Sequence, residues 1–185
     1  MPLPQTFNDF IPSEELAGEY RDVWEDPTNR DYQRYLEITT IFTNSNSALI
    51  DRCNIIYKAY DHFHRHRAPE AATCIAGINN FGDRVQNGDI SLIGEMRARC
   101  GSVFSAMFCH HSSPEKYYGC TRPVREVLVR LNDRDSFCNT MFSEVDLMDY
   151  PTFHSIMQQL KVFYHLEKTS NRDLDVMLRM SNNLN

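Results

Sequence analysis

The sequence predicts an all-α protein: one compact multi-helix domain with an extended N-terminal arm and a short C-terminal tail. Apolar residues recur with the helical period of about 3.6 residues from residue 46 onward, and no segment sustains the alternation of a strand. Seven glycines and eight prolines fall mainly between these periodic stretches, where turns belong. A chain of 185 residues is long enough to bury a sizeable core, so we predict one domain of about six to eight helices.

Residues 1–45 form the predicted arm. Ser13, followed by two glutamates, predicts a short helix that runs to Trp24 and ends before Pro27. A second helix over residues 32–42 is predicted less strongly, because it contains a β-branched run.

Residues 46–168 form the predicted domain, and its helix ends follow from prolines, capping residues and a glycine. Pro69 and Pro151 occupy first-turn positions, and Gly88 follows the last apolar residue of its helix. The predicted helices lie near 47–66, 69–87, 90–110, 122–132 and 151–167. Residues 169–185 form the predicted tail, with a last helix over 171–181.

Composition and charge exclude several classes of protein. Hydrophobic residues make up 42% of the chain and charged residues 24%, which is typical of a globular protein. The net charge is −6 with no block of basic residues, so we expect no nucleic-acid partner. No apolar run approaches about 18 residues, and residues 1–9 are polar, so we expect neither membrane insertion nor a secretion signal. The six cysteines include no CxxC pair, which favours reduced, mostly buried thiols in an intracellular protein.

The chain contains no complete catalytic or metal-binding signature, so we expect neither an enzyme nor a metal site. His62, His64 and His66 alternate along a predicted helix, which spreads their side chains around its circumference. The best candidate zinc ligands are Cys109, its two neighbouring histidines and Cys120, but adjacent ligands and a long loop fit a tetrahedral site poorly.

One short motif suggests a regulatory role. The segment Cys74–Val85 resembles a BH3 segment, the amphipathic helix that lays four apolar residues and an aspartate into a partner's groove. The alternative function for the chain is therefore a helical regulatory interaction protein, viral or apoptosis-related, that acts through this segment.

The stretch 78–91 resembles the signature of phycobilisome linker polypeptides. In that signature a helix with apolar residues at i, i+3 and i+7 ends in Asn/Ser-Gly, and an acidic or polar residue, Ile and Ser/Thr follow. The matching residues here are Ile78, Phe81, Val85, Gly88, Ile90 and Ser91. We expect Ile78, Phe81, Val85 and Ile90 to form a buried cluster that joins two helices across the turn.

Further pieces follow in the family's order over about residues 48–168. Tyr60 and Phe63 match the upstream aromatic residues, Arg134 matches a Leu-Gly-Arg motif, and Tyr150 and Phe153 match the closing motif. The resemblance implies that these motif residues belong to the core. The chain also departs from the family. Glu95 replaces a phenylalanine, about five extra residues lie between His110 and Cys120, and the net charge is acidic where rod linkers are usually basic.

The resemblance implies a non-enzymatic linker that fills the central cavity of phycobiliprotein rings and tunes excitation energy transfer. Its implied partners are phycobiliprotein α/β subunits (phycoerythrin, phycocyanin or allophycocyanin) and other linkers. No cofactor of its own is required, although it would contact bilins of its partners. The implied location is the stromal or cytoplasmic face of the thylakoid membrane, in a red algal plastid or a cyanobacterium.

The same resemblance directs attention to two sets of residues. Cys109 and Cys120 flank the inserted polar loop and are the candidate thiols for a thioether-linked bilin. Aromatic residues that the apolar stripes leave unassigned are the candidate partner interface. These are Phe7, Phe10, Tyr20, Trp24, Tyr32, Tyr35, Tyr117 and Tyr118.

Overall fold

The computed structural model describes residues 3–185, apart from the side chain of His62. Over that part of the chain it contains ten α-helices, three short 3-10 turns and no β-strand. The predicted all-α class is therefore confirmed. The helices are α1 (Glu14–Trp24), α2 (Arg30–Thr43), α3 (Leu49–Tyr60), α4 (Ala68–Ala76), α5 (Phe81–Gln86), α6 (Ser91–Cys100), α7 (Ser102–Ser112), α8 (Arg122–Asp135), α9 (Tyr150–Phe163) and α10 (Asn171–Ser181).

Contacts divide the chain into two units that differ from the predicted arm, domain and tail. Unit 1 contains residues 3–26 together with Tyr118–Asn185, and unit 2 contains Pro27–Tyr117. The expected N-terminal arm does not extend away from its unit, because α1 packs on α10. The expected tail is likewise part of a core, because α10 also packs on α8.

Unit 1 is built around α10, which is buried on nearly every side. Five consecutive residues of this helix, 174–178, are buried, and so are residues at both of its ends. Trp24 of α1 lies against it with the guanidinium groups of Arg172 and Arg179, each 5.5 Å from the indole ring. Because arginine stems cover apolar surface while their charges interact with the ring, this packing buries an aromatic residue beside cations.

The first residues of unit 1 are anchored on α8. The Arg130 guanidinium lies 3.7 Å from the Phe7 ring centre, and Arg134 donates a hydrogen bond of 2.6 Å to the Phe7 carbonyl oxygen. The Phe7 amide donates in turn to the Asn185 carbonyl oxygen at 2.9 Å. Both ends of the described chain are thus hydrogen-bonded into the same unit.

Unit 2 forms its core from α3, α4, α6 and α7, which pack on one another. Tyr57 of α3 stacks on Phe104 of α7 with ring centres 4.3 Å apart, and its hydroxyl donates to the Cys100 carbonyl oxygen at 3.1 Å. The buried tyrosine therefore satisfies its polar atom at the end of α6. Helix α2 packs on α3 and α7, and its Ile38 is fully buried.

Three predicted helices are interrupted in the structure, two of them at a residue with a positive φ angle. The helix predicted over 47–66 ends at Tyr60, and a 3-10 turn, His62–Arg67, follows it. The helix predicted over 69–87 breaks between α4 and α5, where Asn80 takes a left-handed conformation at φ 53°. The helix predicted over 90–110 breaks at Gly101, which lies at φ 89°. Neither of these positive φ angles can continue a right-handed helix.

Other helix ends match the prediction closely. Ser13 caps α1 by accepting a hydrogen bond of 3.1 Å from the Leu16 amide, and α10 occupies the predicted residues 171–181. Helix α8 extends three residues beyond the predicted end, and α9 ends four residues before it. The apolar residues Phe137, Met141 and Phe142 predict a further short helix, but the described chain has an irregular loop there instead.

The packing of α1 on α10 predicts that residues 3–26 stabilise unit 1. Leu16 is 4% exposed, so we expect Leu16→Ala to lower the free energy of unfolding by about 2–5 kcal/mol, through lost burial and a residual cavity. Val23 on the same helix is 47% exposed, and Val23→Ala should change stability by less than about 0.5 kcal/mol. Urea unfolding followed by the fluorescence of Trp24, the only tryptophan, measures both. Equal effects of the two substitutions would contradict this packing.

Candidate functional site

The turn between α5 and α6 is where the structure tests the signature residues most directly. Gly88 lies at φ 74°, and its amide donates to the Val85 carbonyl oxygen at 3.2 Å. The Asp89 amide donates to the Arg84 carbonyl oxygen at 3.0 Å. These two hydrogen bonds form a Schellman motif, which ends a helix on a left-handed residue at the position where glycine is favoured.

A network of charged side chains holds this turn to the next helix. Asp89 Oδ1 accepts from the Ser91 amide at 3.0 Å and from its hydroxyl at 2.6 Å. The Arg84 guanidinium donates to Asp89 at 2.7 Å, to the Ser91 hydroxyl at 3.0 Å and to Glu95 at 3.1 Å. Hydrogen bonds from Ser91 and Arg84 lower the pKa of Asp89, so the network stays ionised at neutral pH. The chemistry of these groups is that of a helix cap and an ion-pair network.

Residues from the end of α7 and the following loop pack against the same turn. Tyr117 is fully buried, and its hydroxyl donates to the Asp89 carbonyl oxygen at 3.1 Å. His110 Nδ1 donates to the Tyr117 carbonyl oxygen at 2.9 Å, which holds the loop in place. Tyr117 was predicted as a partner-interface residue, and its burial in unit 2 contradicts that prediction.

The signature residues divide between core and surface. Val85 is buried, whereas Ile78, Phe81 and Ile90 are half-buried, so the prediction of a fully buried cluster across the turn is wrong for three of its four members. The α4–α5 break exposes part of this stretch. Phe81 contacts the Phe108 ring at 6.0 Å.

The flanking motif residues divide between the two units. Tyr60 and Phe63 belong to unit 2, whereas Arg134, Tyr150 and Phe153 belong to unit 1. Tyr150 and Phe153 are buried as expected, and the Tyr150 hydroxyl accepts from the Tyr118 amide at 3.0 Å. Phe63 is 90% exposed, which contradicts its prediction as a core residue, because it follows the end of α3 on the 3-10 turn.

Six of the eight predicted interface aromatics are buried within their own unit, so they are not available for a partner in this structure. Phe10 contacts Tyr20 edge to face at 6.2 Å, and Tyr118 accepts a hydrogen bond of 2.9 Å from Gln158. Tyr32 and Tyr35 are half-buried. The six buried residues are Phe7, Phe10, Tyr20, Trp24, Tyr117 and Tyr118.

The structure brings Tyr35, Tyr60 and His111 together, although the sequence assigned them to three different roles. The Tyr60 hydroxyl and His111 Nε2 share a hydrogen bond of 2.8 Å. The rings of Tyr35, Phe42 and Tyr60 lie 5.6, 5.8 and 5.7 Å from the His111 ring. No spacing in the sequence indicates this cluster, because its members come from α2, α3 and α7.

The two candidate bilin thiols are buried, contrary to the prediction that they flank an exposed loop. Cys109 is fully buried and Cys120 is 5% exposed. Burial raises the pKa of both thiols, that of Cys120 to about 11, with the Arg125 charge acting in the opposite direction. At neutral pH these thiols stay protonated, and a protonated thiol is a weak nucleophile.

The candidate zinc ligands are not assembled. Cys109 and Cys120 belong to different units, and the two histidines between them hydrogen-bond to Tyr117 and Tyr60. Within the described residues, no group of three or more His, Cys, Asp or Glu side chains is placed to hold a metal ion.

The BH3-like segment is not a single helix. Cys74 lies in α4, Phe81 and Val85 lie in α5, and residues 77–80 between the two helices are not α-helical. A groove-binding helix needs its apolar residues on one continuous face. In this structure the segment therefore does not present one continuous groove-binding face.

Sequence reasoning missed the exposed apolar side chains. Nine large hydrophobic residues among the described ones are exposed, and five of them lie between residues 141 and 163. One sequence feature could have indicated these exposed side chains: in the loop Met141–Asp149, acidic and apolar residues alternate without a helical period.

Comparison with known proteins finds no matching family model, no matching curated protein and no matching solved structure. None of the helices in residues 3–185 combines the length and the apolar character needed to cross a bilayer.

The geometry of Gly88 predicts a large difference between two neighbouring glycines. A Cβ at Gly88 would lie 3.3 Å from the Lys116 Cβ and would force φ 74° on an L-residue, so Gly88→Ala should destabilise the protein by about 1–2 kcal/mol. A Cβ at Gly82 on α5 meets no atom within 4 Å, and Gly82→Ala should be neutral or stabilise by up to about 1 kcal/mol. Urea unfolding followed by circular dichroism compares the two. A neutral Gly88→Ala would contradict the assigned turn.

The buried thiols predict a protein that resists thiol reagents while it is folded. All six cysteines are buried, so a disulfide-exchange reagent should modify them at least about a hundredfold more slowly than free cysteine. In denaturing urea all six should react at once. Mass spectrometry identifies the labelled residues, and rapid modification of Cys109 or Cys120 in the folded protein would contradict their burial.

Proposed function

We propose that the chain is a non-enzymatic helical scaffold of the phycobilisome-linker type. In this role it binds phycobiliprotein α/β subunits of phycoerythrin, phycocyanin or allophycocyanin, together with other linkers. It needs no cofactor of its own and contacts the bilins of its partners. Its place is the stromal or cytoplasmic face of the thylakoid membrane, in a red algal plastid or a cyanobacterium.

The observation that carries the proposal is the Gly88 turn. The signature requires a helix that ends on glycine, then an acidic residue, an isoleucine and a hydroxyl residue before the next helix. Residues 87–91 take this geometry, with Gly88 at φ 74° and with Asp89 bonded to both polar atoms of Ser91. The turn therefore gives Gly88, Asp89 and Ser91 defined structural roles.

The contact surface for this role is not the one expected from the arm. Four aromatic residues of the arm, Phe7, Phe10, Tyr20 and Trp24, are buried in unit 1, so the exposed apolar residues are the main side chains left to meet a ring. Those in unit 2 are Leu36 and Phe63, and the others belong to unit 1.

Ring binding is tested by mixing the purified chain with hexamers of each of the three phycobiliproteins and sedimenting the mixtures through sucrose gradients. We expect the chain to co-migrate with at least one coloured ring and to change its fluorescence emission, since a bound linker alters the surroundings of nearby bilins. Gly82→Ala should bind as the wild type does, and Gly88→Ala should bind more weakly. An acidic protein of similar size provides the control for charge alone.

The proposal fails if the wild-type chain stays separate from all three rings at low ionic strength, where electrostatic contacts are least screened. Equal binding by Gly88→Ala and Gly82→Ala would show that the turn does not contribute to the interaction.

A further inference from the structure

Exposed apolar side chains concentrate on one surface of unit 1. Met141, Val145 and Val162 are 76%, 74% and 63% exposed. Phe142 and Phe163 each contact the Phe137 ring, at 6.1 and 6.4 Å, which connects the loop to the end of α9. We call Met141, Phe142, Val145, Val162 and Phe163 the acidic apolar surface, because of the charges beside it.

Those charges are almost all negative. Residues 133–149 contain five acidic residues and one arginine, a net charge of −4. Two of these carboxylates are paired: Arg134 pairs with Asp135 at 2.5 Å, and Arg125 of α8 pairs with Glu144 at 3.3 Å. Asp133 and Asp146 are exposed and form no ion pair with any described basic side chain. This surface therefore combines adaptable apolar side chains with unneutralised negative charge, and it suits a partner that carries both apolar and positive groups.

Unit 2 presents the opposite combination on the 3-10 turn after α3. Residues 58–67 contain three basic residues and one acidic residue, a net charge of +2 with histidines neutral, in a chain of net charge −6. Lys58 pairs with Glu37 at 3.1 Å, whereas Arg65 is exposed and forms no ion pair with any described acidic side chain. Phe63 is 90% exposed, the highest value among the described large hydrophobic residues. We call residues 63–67 the basic tip.

The basic tip is held in place by contacts at its base. The turn packs on both α3 and α4. Arg67 pairs with Glu70 at 3.5 Å and donates to the Arg99 carbonyl oxygen. Phe63 and Arg65 are therefore displayed on an anchored turn, which lowers the entropy lost when they bind.

We propose that the basic tip of one molecule docks on the acidic apolar surface of a second copy of the same chain. Phe63 packs among the exposed apolar side chains, and Arg65 faces the unpaired carboxylates. Two tips repel each other, and so do two acidic surfaces, so the complementary pairing is head to tail. Such a contact joins two different patches, so each molecule brings one tip and one surface to the association. The inference does not depend on the proposed function.

Self-association is tested by sedimentation velocity over a concentration series. The wild-type sedimentation coefficient should increase with concentration, and the association should weaken when salt is raised from about 0.05 to 0.5 M. Phe63→Ser with Arg65→Glu removes the tip, and Met141→Ser with Val145→Ser removes the surface. Each double substitution should raise the dissociation constant of self-association about tenfold or more. Val23→Ser alters an exposed apolar residue elsewhere and should leave association unchanged.

A mixing experiment separates tip-to-surface docking from tip-to-tip or surface-to-surface association. The tip-deficient variant retains its surface, and the surface-deficient variant retains its tip. The two variants, each unable to associate alone, should form a species of two chains that does not grow further. Circular dichroism verifies that both variants are folded, as expected for substitutions at exposed positions.

Three results would overturn the inference. The wild type could remain a monomer up to about 0.5 mM, which would leave the acidic apolar surface to a different basic partner. The tip and surface variants could associate as strongly as the wild type. The mixture of the two variants could remain monomeric although the wild type associates.

Discussion

The mutual burial of α1 and α10 is the constraint on which unit 1 depends. Each helix has 11 residues, a length at which an isolated helix is marginal in water. Their stability must therefore come from the surface that they bury together, and Trp24 between two arginines is the centre of that contact. The remaining elements are arranged around the pair: α8 covers α10 and also binds the chain near both ends through Arg130 and Arg134. Residues that are distant in sequence thus pack into one unit, and no local sequence pattern could indicate this packing.

The sequence predicted the positions of the main helices well, but it did not predict the interruptions within three of them. Periodicity reports which residues share a face, and a short break that preserves the face leaves the period almost intact. Asn80 and Gly101 interrupt two predicted helices in this way, because each takes a positive φ while the apolar residues on both sides still pack inward. Where a capping residue or a proline marked an end, as at Ser13, the predicted helix was confirmed. Local chemistry therefore predicts ends, whereas tertiary packing decides whether a helix continues.

The candidate site shows the same division between local and long-range causes. The Gly88 turn follows from a few consecutive residues, since Arg84, Asp89 and Ser91 bond to one another within it. The interface aromatics were chosen because they lie off the helical stripes and the candidate thiols because they flank a polar loop, but the structure buries six of the eight aromatics and both thiols. Tyr118 is buried by Tyr150, and Cys120 donates to the Leu147 carbonyl oxygen at 3.5 Å, both across long separations in sequence. A residue outside every stripe can still be core when a loop passes through a unit.

The two proposals rely on the same exposed side chains. A turn such as that at Gly88 shapes a scaffold, but affinity comes from apolar and charged groups that lose water on binding. Outside the two cores those groups are concentrated at Phe63 with Arg65, and around Met141 and Phe163. A ring that binds the chain would have to use the same side chains as a second copy. Because the basic tip bears positive charge in an otherwise acidic chain, any acidic partner would compete with the acidic apolar surface for it, and binding of that partner would reduce the self-association.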